Sequence, residues 1–110
     1  MNSDDLAILD AMPFLFWAKD RGGVYIWGNR EINALAGTSV VGKRDADLPW
    51  AHNAEALVAD DEQVWKTGKP LYSLEKAEDS TRGDVTLSAC KFAGELDGTP
   101  CTFGVSFVIR

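Results

Sequence analysis

Hydrophobic residues along this chain change their spacing several times, and each change marks an element. Leu6, Leu9 and Met12 recur at helical spacing behind a polar start. There Ser3 reads as an N-cap with Asp4 and Asp5 in the first turn, and Pro13 ends the run. Phe14 to Ala18 and Val24 to Trp27 are aromatic, strand-like runs around the turn cluster Asp20-Arg21-Gly22-Gly23, which predicts a hairpin. Asn29 then caps a short helix, Arg30 to Ala36, whose apolar face is Ile32, Leu35 and Ala36, with Gly37 just past its end. Gly42 to Asp47 is irregular and charged, and Asp45 and Asp47 read as caps of a short helical turn. A longer helix is expected from Ala51 to Thr67, with Leu57, Val58, Val64 and Trp65 on one stripe, stopped by Gly68 before Pro70. Three strand-like runs follow: Leu71 to Lys76, Asp84 to Ala93 and Cys101 to Ile109, the last two joined at Leu96-Asp97-Gly98. The order β-β-α-α-α-β-β-β predicts an α+β fold, one antiparallel sheet with helices inserted between its second and third strands.

The last hairpin fixes two faces. With Asp97-Gly98 as a two-residue turn, Phe92 lies opposite Phe103 and Cys90 opposite Val105. One face then carries Cys90, Phe92, Phe103, Val105, Phe107 and Ile109, and the other Leu87, Ala89, Lys91, Thr102, Gly104, Ser106 and Val108. The first face is large and apolar and needs a cover, either the Leu6/Leu9/Met12 helix or a second protomer. The second, smaller face suits the inserted helices and leaves volume for a ligand cavity. Cys90 and Cys101 share a face but lie several residues apart along it, so no disulfide between them is expected.

Composition changes this picture little. The 110 residues fit one domain, and 45% apolar with 25% charged residues is ordinary for a globular protein able to bury its own core. Two cysteines make no disulfide framework and suit a reducing compartment. The longest apolar run, Ala11 to Ala18, is too short to cross a bilayer, and no basic-then-apolar leader opens the chain. These features lead us to expect a cytoplasmic location. A formal charge of −6 argues against direct binding to nucleic acid or anionic membranes.

Several stretches, in this order and spacing, resemble PAS domains. They are the strand–turn–strand run ending at Asn29 with the helix Asn29 to Gly37, and the segment Val41 to Trp50. Ala59-Asp60-Asp61-Glu62-Gln63-Val64 with Thr67-Gly68-Lys69-Pro70, and Gly104-Val105-Ser106-Phe107, complete the set. The resemblance covers nearly the whole chain and implies a five-stranded antiparallel sheet cradling helices. It also implies a sensory or dimerisation module of a larger bacterial signal-transduction protein, such as a histidine kinase, diguanylate cyclase or transcriptional regulator. Residues 1–12 would be an N-terminal helix for dimerisation or for covering the sheet, and residues 13–110 the PAS domain. An effector domain would follow Arg110. Many PAS domains end in an Asp-Ile-Thr triplet, where this chain reads Val108-Ile109-Arg110.

The same resemblance frames the cofactors. Flavin photoreceptors of the family carry a reactive cysteine in the stretch matching Gly42 to Trp50, which has none here. Haem needs an axial ligand, and the only histidine, His52, stands at a helix start, whereas the haem ligand of relatives falls near Leu57. A small metabolite, or no ligand at all, is therefore expected rather than flavin or haem. No metal site is expected, because Asp60, Asp61 and Glu62 point in different directions on a helix. Asp61 shares the apolar stripe, so it should be partly buried and bonded to loop amides or to a nearby cation. The expected ligand-binding residues are Leu57, Val58, Asp61, Leu87, Ala89 and Ser106, with Trp27 and Trp50 as wall or plug. Leu6, Leu9, Phe103, Val105, Phe107 and Ile109 form the expected homodimer face. The alternative is a small acid–base enzyme such as an isomerase, pairing Asp61 with Tyr25 or Tyr72. No catalytic residues are assigned, since no phosphate loop, metalloprotease motif or nucleophile elbow is present.

Overall fold

The computed structural model describes residues 1–109, with the side chains of 78 and 79 set aside. Arg110, the end of the Val108-Ile109-Arg110 triplet, lies outside the described residues. The elements run α1 (Ser3–Asp10), β1 (Leu15–Asp20), β2 (Tyr25–Gly28), α2 (Arg30–Ala36), 3-10 turns at Asp45–Asp47 and Ala51–Asn53, α3 (Ala54–Thr67), β3 (Leu71–Ser80), β4 (Gly83–Leu96) and β5 (Thr99–Val108). The five strands form one antiparallel sheet in the order β2-β1-β5-β4-β3. The inserted helices thus connect its two edge strands.

Local chemistry moves some boundaries. The N-cap of α1 is Asn2 rather than Ser3: its Oδ1 accepts from the Asp4 and Asp5 amides at 3.0 and 3.1 Å, and Asp5 accepts in return from the Asn2 amide. Ser3 instead bonds Asp97 in the β4–β5 turn. The long helix starts at Ala54, because a 3-10 turn holds Ala51–Asn53 while the Trp50 indole is drawn into the core. The strand β3 passes beyond Lys76, since pairing with β4 through Ala77↔Val85 and Ser80↔Gly83 overrides the polar composition there.

The β4–β5 register pairs Phe92 with Phe103 and Cys90 with Val105, around a turn in which Asp97 and Gly98 both take positive φ. That register makes two cores. On the outer face, Leu6 of α1 packs with Phe16, Ala18, Leu96, Cys101 and Phe103, flanked by half-buried Leu9, Trp27, Phe92 and Val105. On the inner face, Leu15, Trp17, Tyr25 and Leu87 pack beneath Ile32, Leu35, Trp50 and Leu57 of the inserted segment. Trp17 lies in register with Gly104 and occupies the place any Cβ there would take. Both cysteines are free.

Candidate functional site

The inner face holds a cavity of about 30 Å³, lined mainly by Leu15, Trp17, Ile32, Leu35, Leu57 and Leu87, with Tyr25 and Trp50, and reaching the exposed Lys76. Into this apolar wall project Lys19, Lys91 and Glu75. Lys19 and Lys91 are each only 1% exposed, and Asp45, Asp61 and Glu75 are buried with them. Apart from Asp45, which stands in a 3-10 turn, each charge comes from strict alternation or helical stripe. Lys19 follows Leu15 and Trp17 at period two on β1, Lys91 follows Leu87 and Ala89 on β4, and Asp61 falls between Leu57 and Val64 on α3.

The side chains form a row of alternating sign. Lys19 Nζ lies 2.6 Å from Asp45 Oδ2 and 2.5 Å from Asp61 Oδ2. Asp61 Oδ1 lies 3.7 Å from Lys91 Nζ, which pairs with Glu75 Oε2 at 2.7 Å. The sequence along the row is Asp45, Lys19, Asp61, Lys91, Glu75. Asp45 is the best held of these: its Oδ1 also accepts from the Tyr25 hydroxyl at 2.6 Å and the Trp50 indole at 2.9 Å. Asp61 is less well held, since its buried Oδ1 has no hydrogen-bond donor among the described residues.

The charges tune one another. Burial pushes the Asp45 carboxyl up, but the Lys19 ammonium and its three hydrogen bonds outweigh this, and the group sits below its ordinary range. Burial works to lower the Lys19 ammonium, yet Asp45 and Asp61 together hold it above its ordinary value. Burial, then the negative charge of Asp45, drives the Tyr25 phenol well above its ordinary value. Lys19 and Asp45 therefore stay ionised beside a neutral Tyr25 at physiological pH.

Of the residues expected at the site, Trp50, Leu57 and Leu87 line the cavity. Asp61 is buried and paired with a cation, Lys19. Trp27 requires correction: a bulge lets Lys19 pair with Tyr25 and Ala18 with Trp27, so Tyr25 takes the inward place and Trp27 packs against Phe16 on the outer face. Val58 is 44% exposed, because the buried stripe of α3 runs through Leu57, Asp61 and Val64. Ala89 and Ser106 are buried and mutually paired on the inner face, but Leu15 and Trp17 of β1 line the cavity in their stead. Asp45 begins its 3-10 turn, yet its side chain serves the core and not a cap.

For the expected dimer face, Leu6 and Phe103 are buried within the chain, Leu9 and Val105 half-buried, and Phe107 and Ile109 exposed at 52% and 55%. Tyr72 of the enzyme alternative stands 76% exposed on the outer face and does not meet Asp61, while Tyr25 bonds Asp45. His52 is exposed and does not line the cavity, and neither cysteine lines it. A space of about 30 Å³ takes one or two waters, so a flavin or haem ring would need the helices to part from the sheet.

Sequence reasoning missed Lys19, Glu75 and Asp45 as site residues and placed Lys91 on the inner face without giving it a role. The available signal was a charge at an inward position of an apolar alternation.

A helix-roofed antiparallel sheet with a small cavity on its inner face defines the class. The family model described as PAS fold matches residues 9–105, and the chain belongs to that family, whose domains are sensory modules of signalling proteins. Among solved structures it is similar to VqmA of Vibrio cholera in a ligand–DNA complex, with TM-score 0.82 and 18% identity over 96% of this chain and 50% of that one. The phage VqmA–DPO complex gives TM-score 0.82 and 18% identity over 97% of this chain and 52% of that one. A PAS domain from Colwellia psychrerythraea gives TM-score 0.76 and 12% identity over 96% and 94%. The chain spans about half the length of the VqmA chains it matches. No curated protein matches its sequence.

Proposed function

We propose that this domain is the ligand-sensing input of a larger signalling protein and that its ligand is a compact polar molecule held in the inner cavity. One observation carries the reading: two fully buried lysines, with Glu75, face a cavity whose remaining wall is mainly apolar and aromatic apart from Lys76. Well-packed aliphatic residues would be at least as stabilising there, so a buried ionic row is better explained by recognition than by folding. An ammonium has three N–H donors, and Asp45 and Asp61 take two from Lys19. The third is available to an acceptor on the ligand, while the aromatic walls Trp17, Tyr25 and Trp50 cover its apolar part.

The neighbours in fold include VqmA bound to DPO and VqmA in a ligand–DNA complex, which favours a transcriptional regulator as the host over a histidine kinase or diguanylate cyclase. In that setting the present segment senses, a separate part contacts DNA, and the segment pairs with a second copy through its outer face.

The test is native mass spectrometry of the freshly purified domain, followed by thermal melting with the low-molecular-mass fraction of a cell extract. A discrete non-covalent adduct, or a rise in Tm with the extract, is expected. Both should vanish in Ala77→Leu, which fills the cavity while every charged residue is kept. An adduct or Tm rise that survives Ala77→Leu would place the ligand elsewhere, and the absence of both in the wild type would overturn the reading.

A further inference from the structure

The inner cavity, which reaches the surface beside Lys76, is too small for a molecule of several heavy atoms, so part of its wall must move to admit one. A second hollow of about 150 Å³ lies outside it, bounded by the Asp20–Gly23 turn, Arg44 to Ala46, and the Ala54, Val58, Asp61, Glu62 and Trp65 flank of α3. Lys19 lines the inner cavity, whereas its two partners, Asp45 and Asp61, line the outer hollow. The two spaces therefore share one wall, and that wall is the Lys19 ion-pair cluster.

We propose that the Lys19–Asp61 ion pair is the door of the cavity, opened by movement of α3 away from the β1–β2 turn. The two carboxylates are not equivalent. Asp45 is fixed by donors from Lys19, Tyr25 and Trp50, while Asp61 has one bonded oxygen and one without a donor among the described residues. The buried residues of α3 are Leu57, Asp61 and Val64, so one of its anchors is itself the ion pair. Its N-cap residue, Asn53, makes no side-chain capping bond. When Lys19 lets go, Asp61 is not stranded, because Lys91 Nζ already stands 3.7 Å from its free oxygen. Opening thus exchanges one cation for another rather than leaving a bare buried charge. On the surface, the Arg21 guanidinium lies 4.7 Å from the Trp65 ring centroid and bridges the β1–β2 turn to α3 as an outer latch.

The door gains its purpose from the ligand reading above, but access can be measured with no ligand. Ala77→Cys places a thiol on the cavity wall, in a background carrying Cys90→Ser and Cys101→Ala. The rate of its modification by methyl methanethiosulfonate, a small neutral reagent, reports access to the cavity. Asp61→Asn and Arg21→Ala should each speed labelling about tenfold or more. Phe92→Ala, which loosens only the outer-face cluster, should leave the rate unchanged at equal temperature. Arg21 is exposed, so its variant keeps the question open to refutation should Asp61→Asn fold poorly. Unchanged rates in Arg21→Ala and Asp61→Asn, or an equal rise in Phe92→Ala, would overturn the door. Either result would leave the ligand experiment above to stand or fall separately.

Discussion

At the scale of single residues, the core of this domain is held by charges that its backbone alternation forces inward. Lys19 pairs with two buried carboxylates at once. Removing one partner of a buried ionic group costs more than the pair contributes, because the other stays unpaired in a medium that cannot solvate it. Lys19→Met is therefore expected to lower stability by about 3–5 kcal/mol in urea melts at pH 7. The same groups set the alkaline limit. The folded state holds the Tyr25 proton and the Lys19 proton above their ordinary values of 10.0 and 10.5. As pH rises past those values the unfolded chain releases protons that the native chain keeps, so stability falls. Their contribution is complete below about pH 10 and lost above it, and thermal melts between pH 8 and 11 should show a falling Tm that Tyr25→Phe makes shallower. Asp45 acts in the opposite sense: its depressed pKa supports the fold above its ordinary 3.8 and is lost as the solution becomes more acid. The sequence revealed Asp61, because one carboxylate interrupts an apolar helical stripe. It concealed Lys19 and Glu75, because a lone charge in a strand reads as solvent-facing unless the strand is known to be central and covered.

At the scale of elements, Asn29 does more than cap α2. Its Oδ1 accepts from the Ile32 amide as a cap should, and also from the Phe16 amide at 3.1 Å on β1. Its Nδ2 donates to the Leu9 carbonyl at 3.0 Å and the Phe14 carbonyl at 2.8 Å. One fully buried amide thus ties the end of α1, the start of β1 and the first turn of α2. Losing an ordinary N-cap costs about 1 kcal/mol, but each buried backbone group left without a partner adds about 1–3. We expect Asn29→Ala to cost about 3 kcal/mol or more, with faster hydrogen exchange in α1 than in β4; a loss near 1 kcal/mol would reduce Asn29 to a cap. Element order, the β4–β5 register and this cap were all legible, since they rest on spacing and turn chemistry within a few residues. The bulge that turns Trp27 outward was not: it depends on pairing between β1 and β2, and no local pattern in Val24 to Gly28 announces an extra residue.

At the scale of the whole molecule, the outer sheet face is only half covered. The helix α1 and the Met1–Asp97 and Ser3–Asp97 bonds close the part over β1 and the β4–β5 turn. Beyond it Tyr72, Leu74, Phe107 and Ile109 remain more than half exposed, with Ser88 and half-buried Cys90 lying between them on β4. An apolar strip of this kind on a small domain marks a contact surface, and a second copy related by a two-fold axis would lay strip against strip. Two copies each carrying −6 repel one another, so an association driven by this strip should strengthen as salt screens the charge. Sedimentation equilibrium at tens of micromolar should show a dimer whose dissociation constant falls from low to moderate salt. Leu74→Lys should return the monomer with an unchanged near-ultraviolet spectrum, because its side chain belongs to neither core cluster, and Phe107→Glu should return it too while losing the edge contact with Phe14. A dimer that weakens with salt would point to charged contacts elsewhere. A dimer that survives both substitutions would move the interface to α1, where Ile8 is 66% exposed.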